Sequence, residues 1–312
     1  MGTPNNIYNM RYLIILALLM TLLASSCNED SFSQTVDIPL PDHEPLPALT
    51  LDLRSGDTAI YHRLVLSRGI LEQDDDTPRD MRVQVFRDGA PFAEQSFRSS
   101  SAEGRTNEIE LETPLSADAA RYRVVATVEG FEPVEAEQEM PARPEYVVAT
   151  YEPDGAITAD GYRVDEVEID LTDNGATEDY YGFRVLLPQV NCRFDDSTGL
   201  VVCENDFTFQ QEAYLESPDP LLNNSSGFGL VVTDQSFNGA TYRIRFTVEN
   251  YTDARPRLEV YHLTEDAYRY ATSRRAYEDA GDNPFAEPVN VHQNMMDGYG
   301  YFILSNRVVE EL

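Results

Sequence analysis

Along residues 46–145, apolar positions recur at every second residue in short runs separated by turn-forming residues, the period of strands with one buried face. The runs predict seven strands: Leu49 to Leu53, Tyr61 to Leu66, Arg82 to Phe86, Phe92 to Phe97, Glu108 to Leu111, Tyr122 to Val128 and Val134 to Met140. Tyr122, Val124, Ala126 and Val128 alternate with residues of the opposite face, so the first set points inward. Arg87-Asp88-Gly89-Ala90 reads as a hairpin turn. Pro141-Ala142-Arg143-Pro144 breaks the pattern and marks a domain end. Seven strands at this spacing predict an immunoglobulin-like β-sandwich rather than βαβ units.

Residues 146–312 continue in the same period. Strands are expected at Tyr146 to Thr150, Val164 to Leu171, Tyr180 to Leu187, Gly229 to Thr233, Tyr242 to Val248 and Leu258 to Leu263. Between them, Cys192 and Cys203 flank a hairpin whose turn holds Asp196 to Gly199. A disulfide across those arms would stabilise them by about 2–3 kcal/mol in the chain-entropy account. One helix is expected from Thr264 to Ala280, with Thr264 as N-cap, Glu265 and Asp266 in the first turn, and Gly281 as the stop. The fold class is therefore mainly β: an N-terminal immunoglobulin-like sandwich followed by a second β-rich domain with one helix near the C-terminus.

The chain before residue 46 follows other rules. Arg11 precedes an apolar run from Tyr12 to Ser26 that is too short for a spanning helix and ends in small residues, as a secretory signal does. Cys27 stands where bacterial lipoproteins are cleaved and acylated. Residues 28–45 are acidic and Pro-rich, a semi-rigid tether. The expected organisation is a signal peptide and lipobox over 1–27, a tether over 28–45, a sandwich over 46–145 and a β-rich domain over 146–312. The expected location is the outer membrane, lipid-anchored and at the cell surface.

Charge narrows the function classes. The 55 acidic residues oppose 23 basic ones, all arginine, for a net charge of −32. Such a field repels phosphate backbones and excludes nucleic acid as a partner. No HExxH, GxSxG, CxxC or Gly-rich phosphate loop occurs. The four histidines, His43, His62, His262 and His292, are scattered. Asp74-Asp75-Asp76 lacks the spaced ligands of a calcium loop. The reading is a non-catalytic protein with no cofactor and no metal.

The last thirty residues carry the most specific pattern. Asn283-Pro284-Phe285-Ala286-Glu287-Pro288 follows the helix, and Asn294-Met295-Met296-Asp297-Gly298-Tyr299-Gly300-Tyr301-Phe302 comes after it. Structurally, Asn283-Pro284 makes a turn, Phe285 plugs into the core, Glu287-Pro288 starts an edge strand, and Gly298 and Gly300 allow close backbone approach. Functionally, Glu287, Asn294, Tyr299 and Tyr301 are candidates for the rim of a binding surface. The succession resembles a Bacteroidota lipoprotein family, the domain-of-unknown-function family four-two-four-nine, whose genes often neighbour those of TonB-dependent outer-membrane receptors. The resemblance implies an accessory or ligand-binding partner of such a β-barrel nutrient receptor, and the residue types of the candidate rim suit a glycan or peptide as ligand. A free-standing surface adhesin or glycan-binding module is the alternative, and a surface hydrolase a third.

Overall fold

The seven strands expected in residues 46–145 all form in the computed structural model, which describes residues 43–69, 77–100, 106–195, 198–250, 255–281 and 286–312. Of residues 189–193, 195 and 203–209, the backbone alone is described. The seven are β1 (Pro47–Arg54), β2 (Ala59–Leu66), β3 (Arg79–Arg87), β4 (Ala90–Ser99), β5 (Asn107–Glu110), β6 (Arg121–Val128) and β7 (Val134–Glu139). There follow β8 (Glu145–Ile157), β9 (Arg163–Thr172), β10 (Tyr180–Asp195), β11 (Leu200–Glu212), β12 (Leu215–Glu216), β13 (Asn223–Asn224), β14 (Leu230–Thr233), β15 (Thr241–Val248), β16 (Arg257–Leu263), α1 (Glu265–Gly281) and β17 (Tyr299–Glu311). Strand accounts for 55% of the described residues, which settles the mainly-β class.

Two small sheets lie against one large one. The large sheet runs β13-β14-β10-β16-β17-β1-β2-β5, and β4-β3-β6-β7 and β12-β15-β9-β8 form the others. Leu49, Leu51 and Leu53 of β1 share a core with Val83 and Val85 of β3 and with Tyr122, Val124 and Ala126 of β6. Phe183 and Val185 of β10 and Leu258 and Val260 of β16 share a second core with Ile169 of β9 and Phe246 of β15. Each half is thus a two-sheet stack closed by apolar alternation; strand order by itself does not establish kinship with immunoglobulin domains. On the wet face of β9, Asp170 accepts from Arg243 Nε at 2.7 Å, a cross-strand pair.

The strand that joins the halves was not expected. β17 runs parallel to β1, with Leu49 opposite Gly300, and antiparallel to β16 on its other edge. It places Phe302 and Leu304 in the first core. Because one sheet passes through both halves, Glu44–Leu312 is a single compact unit. Residue 145 falls between two apolar clusters on that sheet, the first of which also takes in Met295, Phe302 and Leu304.

Gly298 and Gly300 do allow close backbone approach. A Cβ on Gly300, whose φ is +104°, would lie 1.9 Å from the Leu49 carbonyl oxygen, and one on Gly298 would lie 2.3 Å from Val134 Cγ1. The edge strand expected at Glu287-Pro288 does not form: residues 287–295 are irregular, and pairing resumes only at the Met296 bridge to Glu135. Pro288 has no N–H to donate to a ladder.

The helix α1 lies on the outer face of the large sheet. The Thr264 hydroxyl accepts the Ala267 N–H at 3.3 Å, so the expected N-cap is made. Ala267, Tyr270 and Ala271, spaced at i, i+3 and i+4, pack with Tyr261 and Leu263 of β16 and Ile303 of β17. Arg274 with Glu278 and Arg275 with Asp279 line its solvent side at i, i+4 spacing.

Candidate functional site

The C-terminal motif divides into residues engaged in the fold and residues left outside. Asn294 acts as a side-chain substitute for a strand partner. Its Nδ2 donates to the Phe302 carbonyl at 2.7 Å and to Asp266 Oδ2 at 3.0 Å, and its Oδ1 accepts the Phe302 N–H at 2.9 Å. Asp266, in the first turn of α1, also faces His292 Nε2 at 2.7 Å and accepts from Gln138 Nε2 at 3.0 Å. Tyr301 packs its ring on Tyr270 with centroids 3.8 Å apart. Burial pushes the Tyr301 phenol up, and its contact with Tyr270 adds to that. Tyr299 is 38% exposed and Glu287 is exposed. The four candidates therefore do not share one environment: two hold β17 and α1 together, and two face solvent. Phe285, Asn283 and Pro284, like Asp74 to Asp76 and Cys27, lie outside the described residues.

Beside α1, the outer sheet face carries a charge network that sequence reasoning did not single out. Two arginines from two strands converge on Glu259 of β16, and a third, Arg54, stands beside them. Arg184 of β10 donates to Glu259 Oε2 through Nε at 2.8 Å and Nη2 at 2.5 Å, Arg307 of β17 reaches Glu259 Oε1 at 3.3 Å, and the Tyr261 hydroxyl also donates to this carboxylate. Arg54 of β1 donates to Asp52 and to the Tyr261 hydroxyl, and its guanidinium lies 5.2 Å from the Phe228 ring centroid. Arg307 also pairs with Asp57 at 2.9 Å, and Arg184 lies 4.0 Å from Glu212. Burial raises the Glu259 pKa, but Arg184, the Tyr261 hydrogen bond and Arg307 outweigh it and the net shift is downward. Burial dominates at Glu212 and Asp57, whose carboxyls are pushed up. Every guanidinium here has a carboxylate partner, so the network is self-neutralising and offers no free anion site.

The third place is the hairpin β10–β11. β10 pairs with β16 and β14 only up to Leu186; residues 189–195 pair with β11 alone. The register shifts between Pro188 and Gln189, where proline's missing N–H coincides with the end of the sheet. Beyond it a two-stranded ribbon leaves the sheet, reaching about 20 Å at roughly 3.3 Å per residue. The ribbon's end carries Phe194, Leu200 and Val201, exposed by 63%, 65% and 64%. Phe194 stands opposite Val201. Cys192 stands opposite Cys203, the register the hairpin reading expects, while their side chains lie outside the description. Three large apolar residues thus lie exposed at the tip of a ribbon in a chain that is otherwise strongly acidic.

A β-rich, helix-buttressed body with a projecting apolar-tipped ribbon is the class the geometry defines. The chain belongs to the family described as Domain of unknown function (DUF4249), which matches residues 34–311. A search of curated proteins finds no match.

Proposed function

We propose that this protein is a non-catalytic, lipid-anchored lipoprotein of the outer-membrane surface that acts as accessory partner to a TonB-dependent β-barrel receptor, with the β10–β11 ribbon as its docking element. The observation that carries the reading is the exposed trio Phe194, Leu200 and Val201 at the ribbon tip. The anchor supports it. With Cys27 acylated, residues 28–45 at about 3.1 Å each hold the body within roughly 55 Å of the bilayer. Confinement to that layer raises the effective concentration of a membrane-embedded partner, so a small apolar tip suffices to hold it. A Cys192–Cys203 disulfide would keep the ribbon stiff enough to present that tip.

The test is co-purification from outer membranes solubilised in mild detergent. The wild-type chain should bring down a large β-barrel protein, and the variant Phe194→Ser/Leu200→Ser/Val201→Ser should lose it while its thermal melt stays unchanged. Recovery of the lipoprotein alone from wild-type membranes, or undiminished capture by the triple variant, overturns the proposal.

A further inference from the structure

Three aspartates meet at one end of the second core. Asp173 follows β9, Asp179 precedes β10, and Asp234 follows β14 and opens the short 3-10 turn Asp234–Ser236. All three are buried, and each presents a carboxylate oxygen within 4.8 Å of those of the other two. Two of them are held by ordinary contacts. Asp173 accepts from the Tyr181 hydroxyl at 2.8 Å and from the Gly175 and Gly239 N–H groups at 2.9 and 2.6 Å. Asp179 accepts from Thr177 Oγ1 at 2.8 Å and Asn174 Nδ2 at 3.2 Å, and its Oδ1 lies 3.2 Å from His262 Nε2.

Asp234 is different. It is 0% exposed, and neither of its carboxylate oxygens has a partner at hydrogen-bond geometry among the described residues; the Asp179 N–H nearby favours its charge only weakly against burial. A buried carboxylate that is neither hydrogen-bonded nor paired is strongly disfavoured. Burial pushes its carboxyl up, and protonation offsets part of that cost while leaving an acid proton and a carbonyl oxygen without a protein partner. The side chain instead points at two further carboxylates, and the only potential cation in contact with any of the three, among the described residues, is His262.

We propose that Asp173, Asp179 and Asp234 together bind one hard divalent cation of the calcium class, which ties the loop 173–179 to the turn 234–239. Calcium–oxygen distances of about 2.3–2.6 Å allow two ligand oxygens on one ion to lie up to roughly 5 Å apart, and the three aspartates meet that limit. The donors are all oxygen, which disfavours zinc and other ions that prefer nitrogen or sulfur. Magnesium demands a tighter octahedron and keeps several waters, which suits a buried pocket poorly. The loops already touch: a Cβ on Gly175 would lie 2.6 Å from Gly239 Cα, so the ion would sit where two segments far apart in sequence come together.

The experiment is thermal denaturation of the full chain after chelator treatment, with and without CaCl2 at about 5 mM, above the roughly 10⁻⁴–10⁻³ M affinities of extracellular calcium modules. The wild type should gain roughly 3–6 °C in Tm, with a smaller gain from MgCl2, and Asp234→Asn should show no gain. No rise with calcium, or an equal rise in Asp234→Asn, overturns the site. Terbium luminescence gives a readout that does not need that variant to fold. The chain has no tryptophan, and the Tyr181 hydroxyl is bonded to Asp173, so bound Tb³⁺ should be sensitised by Tyr181 and displaced by Ca²⁺. Emission that Ca²⁺ leaves unchanged, or that Tyr181→Phe leaves at full strength, overturns the proposal as well.

Discussion

Glu259 and Asp234 are both buried acids in the same half of the molecule, and their surroundings are opposite. Glu259 receives two guanidinium groups and a phenol, whereas Asp234 has no partner and faces two more carboxylates. The difference follows from where each sits. Glu259 lies mid-strand in a large sheet, and the alternation of neighbouring strands brings Arg184 and Arg307 to the same face. Asp234 lies where loops meet at the sheet's end, and among the described residues no strand side chain hydrogen-bonds its carboxylate. A network assembled by sheet register can neutralise its own charge; a cluster assembled by loops has been left for something outside the chain to neutralise.

The largest expected effect tests the first half of that contrast. Glu259→Ala leaves Arg184 and Arg307 mostly buried with the carboxylate they share removed, and the chain should lose about 3–5 kcal/mol of stability in denaturant unfolding. A loss under about 1 kcal/mol would mean that solvent already neutralises those guanidinium groups.

Asp234→Asn should act in the opposite direction. In chelator, removing one of three crowded negative charges should raise stability by about 1 kcal/mol, because burial and the neighbouring carboxylates outweigh the one backbone N–H that favours the charge. A drop comparable with that of Glu259→Ala would show that Asp234 has a stabilising protein partner and would erase the contrast between the two clusters.

How far these clusters were legible in the sequence depends on the distance over which each was assembled. The first seven strands could be marked because each pairs across a short turn or within one half, as β3 does with β4 through Asp88-Gly89. β17 could not, since its partner β1 lies some 250 positions earlier and its own alternation is interrupted by the buried polar residues Ser305 and Asn306. Asn306 is held there by the Ala117 and Pro141 carbonyls, contacts no local pattern announces. The C-terminal glycines were readable because two glycines beside aromatic residues mark close backbone approach wherever they occur. Asn294 was readable as important but not as a backbone clamp. The aspartate cluster was hidden by abundance: among 55 acidic residues, nothing in the spacing of Asp173, Asp179 and Asp234 separates them from solvated neighbours.

The smallest effect is the pH dependence of the arginine network, and its sign sharpens the comparison. Glu212 and Asp57 have carboxyls pushed up, chiefly by burial, so on acidification from neutrality they take up protons in the native state before they do in the unfolded chain. That uptake favours the fold and offsets part of any early loss. Glu259 runs the other way. Its native pKa lies below the ordinary 4.5, so its contribution is fully present above that value and is lost as pH falls through the lowered native pKa. The difference in Tm between wild type and Glu259→Gln should therefore be constant from neutrality down to about pH 5 and shrink below it. A difference that shrinks instead on the alkaline side would assign the stabilising charge to a group other than Glu259.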